Sequence, residues 1–126
     1  SNICTNQGLL VTAATIYMSL MGDEGLRCIA SQCHNGIVKL LAGLKDITGV
    51  ARRFSAPVFH EIVISLPKPA SVVLVSMAND GILGGYDLGE VDPSLANCML
   101  TNVTENKTNL DIQKFLASLE QAVEAR

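Results

Sequence analysis

An α+β sandwich, with helices packed on one side of a small, mainly antiparallel sheet, is the fold this sequence predicts. Three observations predict it. Apolar residues recur at three-and-four spacing in long stretches near both ends of the chain. A short run over 59–66, rich in Ile and Val, lies between Pro57 and Pro67 and reads as a strand. Read through to its end, the chain gives the order α-α-β-β-α-β-β-α.

The first helix is capped by Thr5, or by Asn6 one residue later, and ends near Gly22. Between Ile3 and Met21 it carries no charged residue. A helix without a polar face is normally buried on all sides, so it is either the centre of this fold or is covered by something larger. Asp23 and Glu24 start a second helix, where negative charge suits the positive N-terminal end. Its apolar face is Leu26, Ile29, Ala30, Cys33, Ile37, Leu40, Leu41 and Leu44, and Gly43 and Gly49 are fitting stop signals. A short strand over 50–54 and a turn at Ser55-Ala56-Pro57 follow. The run over 59–66, with Ile62, Val63, Ile64 and Leu66 in near-continuous apolar sequence, suggests a central strand buried on both faces. A third helix spans 70–79 and ends at Asp80-Gly81. Residues 82–86 are extended, 97–103 form another strand, and Thr108 caps a last helix carrying Leu110, Ile112, Phe115, Leu116, Leu119 and Val123.

At 126 residues the chain is read as a single domain over 1–126, long enough to bury a core. It is 48% hydrophobic and only 17% charged, which points to an interface awaiting a partner. A net charge of −3 without a basic stripe, and no Trp, argue against nucleic acid as ligand. The apolar run over 9–21 falls short of the roughly 20 residues a membrane span needs, and Thr12, Thr15 and Ser19 interrupt it. No basic region precedes it, so a signal peptide is not expected, and a cytoplasmic location is. Cys4, Cys28, Cys33 and Cys98 include no Cys-x-x-Cys pair. On a helix Cys28 and Cys33 diverge by about 140°. Reduced, mostly buried thiols and no metal are expected.

No catalytic set is complete. His60 and Glu61 are adjacent on a strand, so they face opposite sides and cannot form a dyad. The glycines Gly81, Gly84 and Gly85 lack the Lys and Ser/Thr of a phosphate loop. Lys39, Lys45, Lys68, Lys107 and Lys114 sit on polar faces or loops, none in an apolar surrounding that would prepare it for Schiff-base chemistry. No catalytic, cofactor-binding or metal-binding residue is assigned.

Four motifs, in order and spacing, resemble one family. Ser1-Asn2-Ile3-Cys4-Thr5-Asn6-Gln7 is similar to the opening motif of this region in the glycine cleavage system P-protein family, and Asn6-Gln7 resembles its subunit 1 branch. The stretch from Ala56 to Ile64 resembles the family strand in which an aromatic precedes Asn-Glu, with His60 in place of the Asn. Asp80 to Gly85 with Leu88-Gly89, and Cys98 to Leu100 with Val103-Thr104-Glu105, resemble the later motifs.

The resemblance implies the C-terminal small domain of an aspartate-aminotransferase-like, fold type I chain, with residues 5–21 as its junction helix and the N-terminal large domain outside this sequence. It further implies glycine decarboxylation and transfer of the aminomethyl group to the lipoyl arm of H-protein. Pyridoxal 5'-phosphate would be held by the lysine-bearing subunit 2, and this piece alone would be inactive and prone to self-associate. Asn2, Cys4, Thr5 and Gln7 would either contact the active-site side or only cap the helix and fix the domain junction, with His60 and Glu61 as further candidate contacts. A non-enzymatic α+β interaction module is the competing expectation.

Overall fold

The structure, a computed structural model, describes residues 7–125. The chain divides between Ser31 and Gln32 into two units. Helix α1 (Gly8–Leu44) is interrupted at Gly22, whose φ of 60° and ψ of −173° are a glycine conformation. The two successive helices expected from the sequence are therefore present.

In the first unit, residues 8–21 leave their apolar side chains open: Leu9 is 85% and Leu20 77% exposed, and Leu10, Val11, Ile16, Tyr17 and Met18 are exposed as well. The Thr12 and Thr15 hydroxyls donate back to the carbonyls of Gly8 and Val11. Past Gly22, Arg27 pairs with Asp23 at 2.7 Å on the surface, one helical turn apart. Among the described residues no helix is long and apolar enough to cross a membrane.

The second unit holds a four-stranded antiparallel sheet in the order β1-β2-β4-β3. Its strands are β1 (Ala51–Arg52), β2 (Glu61–Ser65), β3 (Tyr86–Asp87) and β4 (Cys98–Asn102). Between β2 and β3 runs α2 (Ala70–Asn79), and after β4 comes α3 (Asn109–Glu124); two short 3-10 turns, Leu88–Glu90 and Pro93–Leu95, link β3 to β4. Ile62 and Ile64 of β2 stand opposite Thr101 and Met99 of β4, and all four are buried. Ile37, Leu40 and Leu44 of α1, Val73 and Met77 of α2, and Ile112, Leu119 and Ala122 of α3 join them in one core. The helices therefore cover one face of the sheet.

Two expectations need correction. The strand over 59–66 is central in strand order but is not buried on both faces. Its residues alternate, with Ile62 and Ile64 buried, Glu61 exposed, and Val63 and Ser65 half-buried. A sheet with helices on one face shows this period-2 pattern. The extended stretch over 82–86 pairs only at Tyr86-Asp87, because the Ile82 N–H is engaged by the Met77 carbonyl and keeps the chain folded against the end of α2. Gly85 then passes close to β4 at φ 153°, and a methyl group there would strike the Leu100 carbonyl oxygen.

Thr108 caps α3 as expected. Its hydroxyl accepts from the Asp111 N–H at 3.2 Å, and the Asp111 carboxylate accepts from the Thr108 N–H at 2.8 Å. Thr108→Ala should cost about 1 kcal/mol, read as a lower urea midpoint. The hydrogen bonds from Thr108 hold the Asp111 carboxyl below the usual Asp range. A depressed folded-state value means that this contribution is full above the unfolded value of about 3.9 and fades as pH falls through the folded one. Asp111→Asn should flatten that part of the acid limb in urea midpoints measured across pH 2–5.

Candidate functional site

Of the residues singled out from the sequence, Asn2, Cys4 and Thr5 lie outside the described residues. Gln7 is exposed in the first unit, and its carbonyl accepts from the Val11 N–H at 2.9 Å, opening α1. His60 and Glu61 lie at the start of β2. Glu61 is exposed opposite Asn102, while His60 is half-buried, so the two do not act as a pair.

His60 holds its place through its backbone, whose carbonyl accepts from the Val103 N–H at 3.0 Å. Its ring meets the Phe59 ring edge-on at 4.8 Å. Its Nδ1 is enclosed and has no hydrogen-bond partner among the described residues. An enclosed polar atom without a partner costs about 1–3 kcal/mol. His60→Phe, which keeps a ring and removes that atom, should therefore raise stability by about 1 kcal/mol, seen as a higher urea midpoint with unchanged slope.

Near it, His34 Nδ1 lies 3.2 Å from the Phe59 carbonyl oxygen. The buried Cys33 thiol donates to a Glu105 carboxylate oxygen at 3.6 Å. Burial, then the hydrogen bond to Glu105, pushes this thiol above its ordinary pKa, which makes it a packed group rather than a nucleophile. Among the described residues, Cys28, Cys33 and Cys98 form no disulfide, and only Cys28 is exposed. No group of three or more His, Cys, Asp or Glu among the described residues could hold a metal ion.

A groove of about 670 Å³ is the feature that sequence reasoning missed. Its walls are Leu40 of α1, the turn after α2, the end of β4, and α3 with the loop before it. Asp111, Lys114, Phe115, Ser118 and Gln121 line it at three-and-four spacing, a visible signal in the sequence, but the facing wall comes from residues about 30 positions away. Asp80 is fixed there by the buried Ser118, whose hydroxyl donates to it at 2.7 Å.

Lys39 donates to Asn109 at 2.8 Å, and Lys68 donates to the Ala122 carbonyl at 3.2 Å near the end of α3. Lys45, Lys107 and Lys114 are exposed. In the glycine-rich turn, the Gly81 and Ile82 N–H groups are consumed by the Ala78 and Met77 carbonyls, so they cannot cradle a phosphate.

The architecture so built is a small antiparallel sheet with helices on one face, preceded by an apolar helix. It matches part of a solved chain, "Crystal structure of glycine decarboxylase (P-protein) of the glycine cleavage system, in inhibitor-bound form". The TM-score is 0.84 and the identity 31%, over 97% of this chain and 28% of that one. The family model described as glycine cleavage system P-protein matches residues 1–119. The chain belongs to the glycine cleavage system P-protein family. It is 50% identical over 123 residues to "Probable glycine dehydrogenase (decarboxylating) subunit 1" of Nitrosospira multiformis, covering 98% of this chain and 27% of that protein. It is 50% identical over 126 residues to the protein of the same name from Legionella pneumophila strain Corby, covering 100% and 28%. The chain thus spans a little over a quarter of the length of these relatives.

Proposed function

We propose that this chain is the C-terminal small domain of subunit 1 of a P-protein, residues 1–126 forming one domain whose junction helix covers 5–21. The observation that carries the reading is the match, along the whole chain, to relatives named as that subunit. The exposed, charge-free surface over 9–21 supports it, since such a helix suits burial against the kind of further chain that makes up the rest of the relatives' length.

In the complete protein the function is decarboxylation of glycine, with the aminomethyl group passed to the lipoyl arm of H-protein. Pyridoxal 5'-phosphate, which supplies the electron sink for that chemistry, is held by the lysine-bearing subunit 2. The present residues contribute architecture, and Asn2, Cys4, Thr5 and Gln7 are contacts on the active-site side or at the domain junction, with His60 and Glu61 as further candidates. The complex works in the cytoplasm.

The test is a graft. The matched region of the Legionella subunit 1 is replaced by this chain, and the product is combined with subunit 2, H-protein and pyridoxal phosphate. Release of labelled carbon dioxide from carboxyl-labelled glycine is expected from the graft and not from the 126-residue chain alone. A folded graft that joins subunit 2 yet releases none would overturn the reading, as would release by the chain alone. An interaction module would leave the graft inactive.

A further inference from the structure

The groove along α3 takes no part in the roles above, and its two ends differ in charge. Lys107, just before α3, and Lys114, in its second turn, line it, and within the described residues neither ammonium has a hydrogen bond or an ion pair within 4 Å. Asp111 lies beside them, its Oδ2 accepting from Thr108 and its charge attracting both lysines. Two ammoniums against one carboxylate leave this end positive. One helical turn further on, Asp80 lines the groove, held by Ser118 and with lone pairs to spare. That end is negative. The lining also carries the apolar Ile82, Leu83 and Phe115 beside the polar Thr101 and Asn102, and Leu83 is 94% exposed.

We propose that this groove binds a short zwitterion with an apolar body, of the chemical class of hydrophobic dipeptides. The free ammonium pairs with Asp80, and the carboxylate pairs with Lys107 and Lys114. The side chains cover Ile82, Leu83 and Phe115. The dimensions agree: Lys114 and Ser118 are about 6 Å apart along the helix axis, and two extended residues span about 7 Å. The volume lies within the range of roughly 300–1,000 Å³ common for small-molecule sites. Solvent reaches both ends, so millimolar affinity is expected, and each charge contact is worth a few-fold rather than a thousand-fold. The proposal does not depend on the P-protein reading.

Ligand-observed saturation-transfer NMR with Leu-Leu and the 126-residue chain tests it, because the readout tolerates self-association. Saturable transfer to the leucine methyls is expected at millimolar dipeptide. N-acetyl-Leu-Leu and Leu-Leu amide should each bind about three- to fivefold more weakly. The double variant Lys107→Ala/Lys114→Ala should weaken Leu-Leu by a similar factor and leave Leu-Leu amide unchanged. Asp80→Asn, which keeps an acceptor for Ser118, should weaken Leu-Leu and leave the acetylated form unchanged. Both variants alter only exposed side chains, and circular dichroism matching the parent confirms their fold. No saturable transfer up to about 10 mM, or blocked dipeptides that bind as well as the free one, would overturn the proposal. So would transfer that the variants leave untouched.

Discussion

The 126-residue chain alone is expected to elute as a dimer or larger species in size-exclusion chromatography with light scattering, and to bind a hydrophobic dye. The cause is local to the first helix. Eight large apolar side chains between Leu9 and Met21 stand exposed with no charge among them. The two threonine hydroxyls on this helix are already satisfied by their own backbone. Nothing on this surface favours water strongly enough to resist apposition, and patches of this kind mark interfaces. Burying one leucine is worth about 1.5–3 kcal/mol, so Leu9→Lys and Leu20→Lys should each weaken association about tenfold or more. Both lie far into solvent, at 85% and 77% exposure, so neither should lower the unfolding midpoint of the second unit. A monomer that ignores the dye would contradict the expectation.

Ile64→Ala is expected to destabilise the second unit by about 2–5 kcal/mol, measured as a fall in urea midpoint. Ile64 is completely buried at the middle of β2, opposite Met99 on one side and Arg52 on the other. Removing its three terminal carbons leaves a void that the surrounding α2 and α3 side chains cannot all collapse to fill. Leu83→Ala is the control. Leu83 is also a large apolar residue of the second unit, but it is 94% exposed, and its loss should change stability by less than about 0.5 kcal/mol. Equal losses for the two variants would mean that this sheet is not the core.

Much of the fold was legible because local signals agreed with the tertiary outcome. Helix α2 falls on the stretch 70–79 read from its apolar residues and the Asp80-Gly81 stop. The cap at Thr108 and the break at Gly22 were visible as residue types that only those backbone positions favour. The run around Ile62 and Ile64 identified β2, but not which face it buries, since Val63 is apolar too and periodicity could not separate one covered face from two. The short β3 was over-read because Ile82, extended by composition, spends its N–H on α2. The groove was invisible for a different reason. Four segments meet there, and no sequence pattern records that Asp80 and Ser118 are neighbours. His60 was noticed, but its unpartnered Nδ1 is a property of packing and could not be read from one letter.

The need of the first helix for a cover is tested most directly by methionine oxidation, since the four methionines form an internal comparison. Met18 and Met21 lie on that helix at 52% and 37% exposure, while Met77 and Met99 are fully buried in the second unit. With dilute peroxide and nanomolar chain, Met18 and Met21 should oxidise many times faster than Met77 and Met99. In the grafted, full-length subunit 1 they should slow to the rate of the buried pair. Rapid oxidation of Met18 and Met21 that persists in the graft, or protection already complete in the dilute monomer, would contradict it.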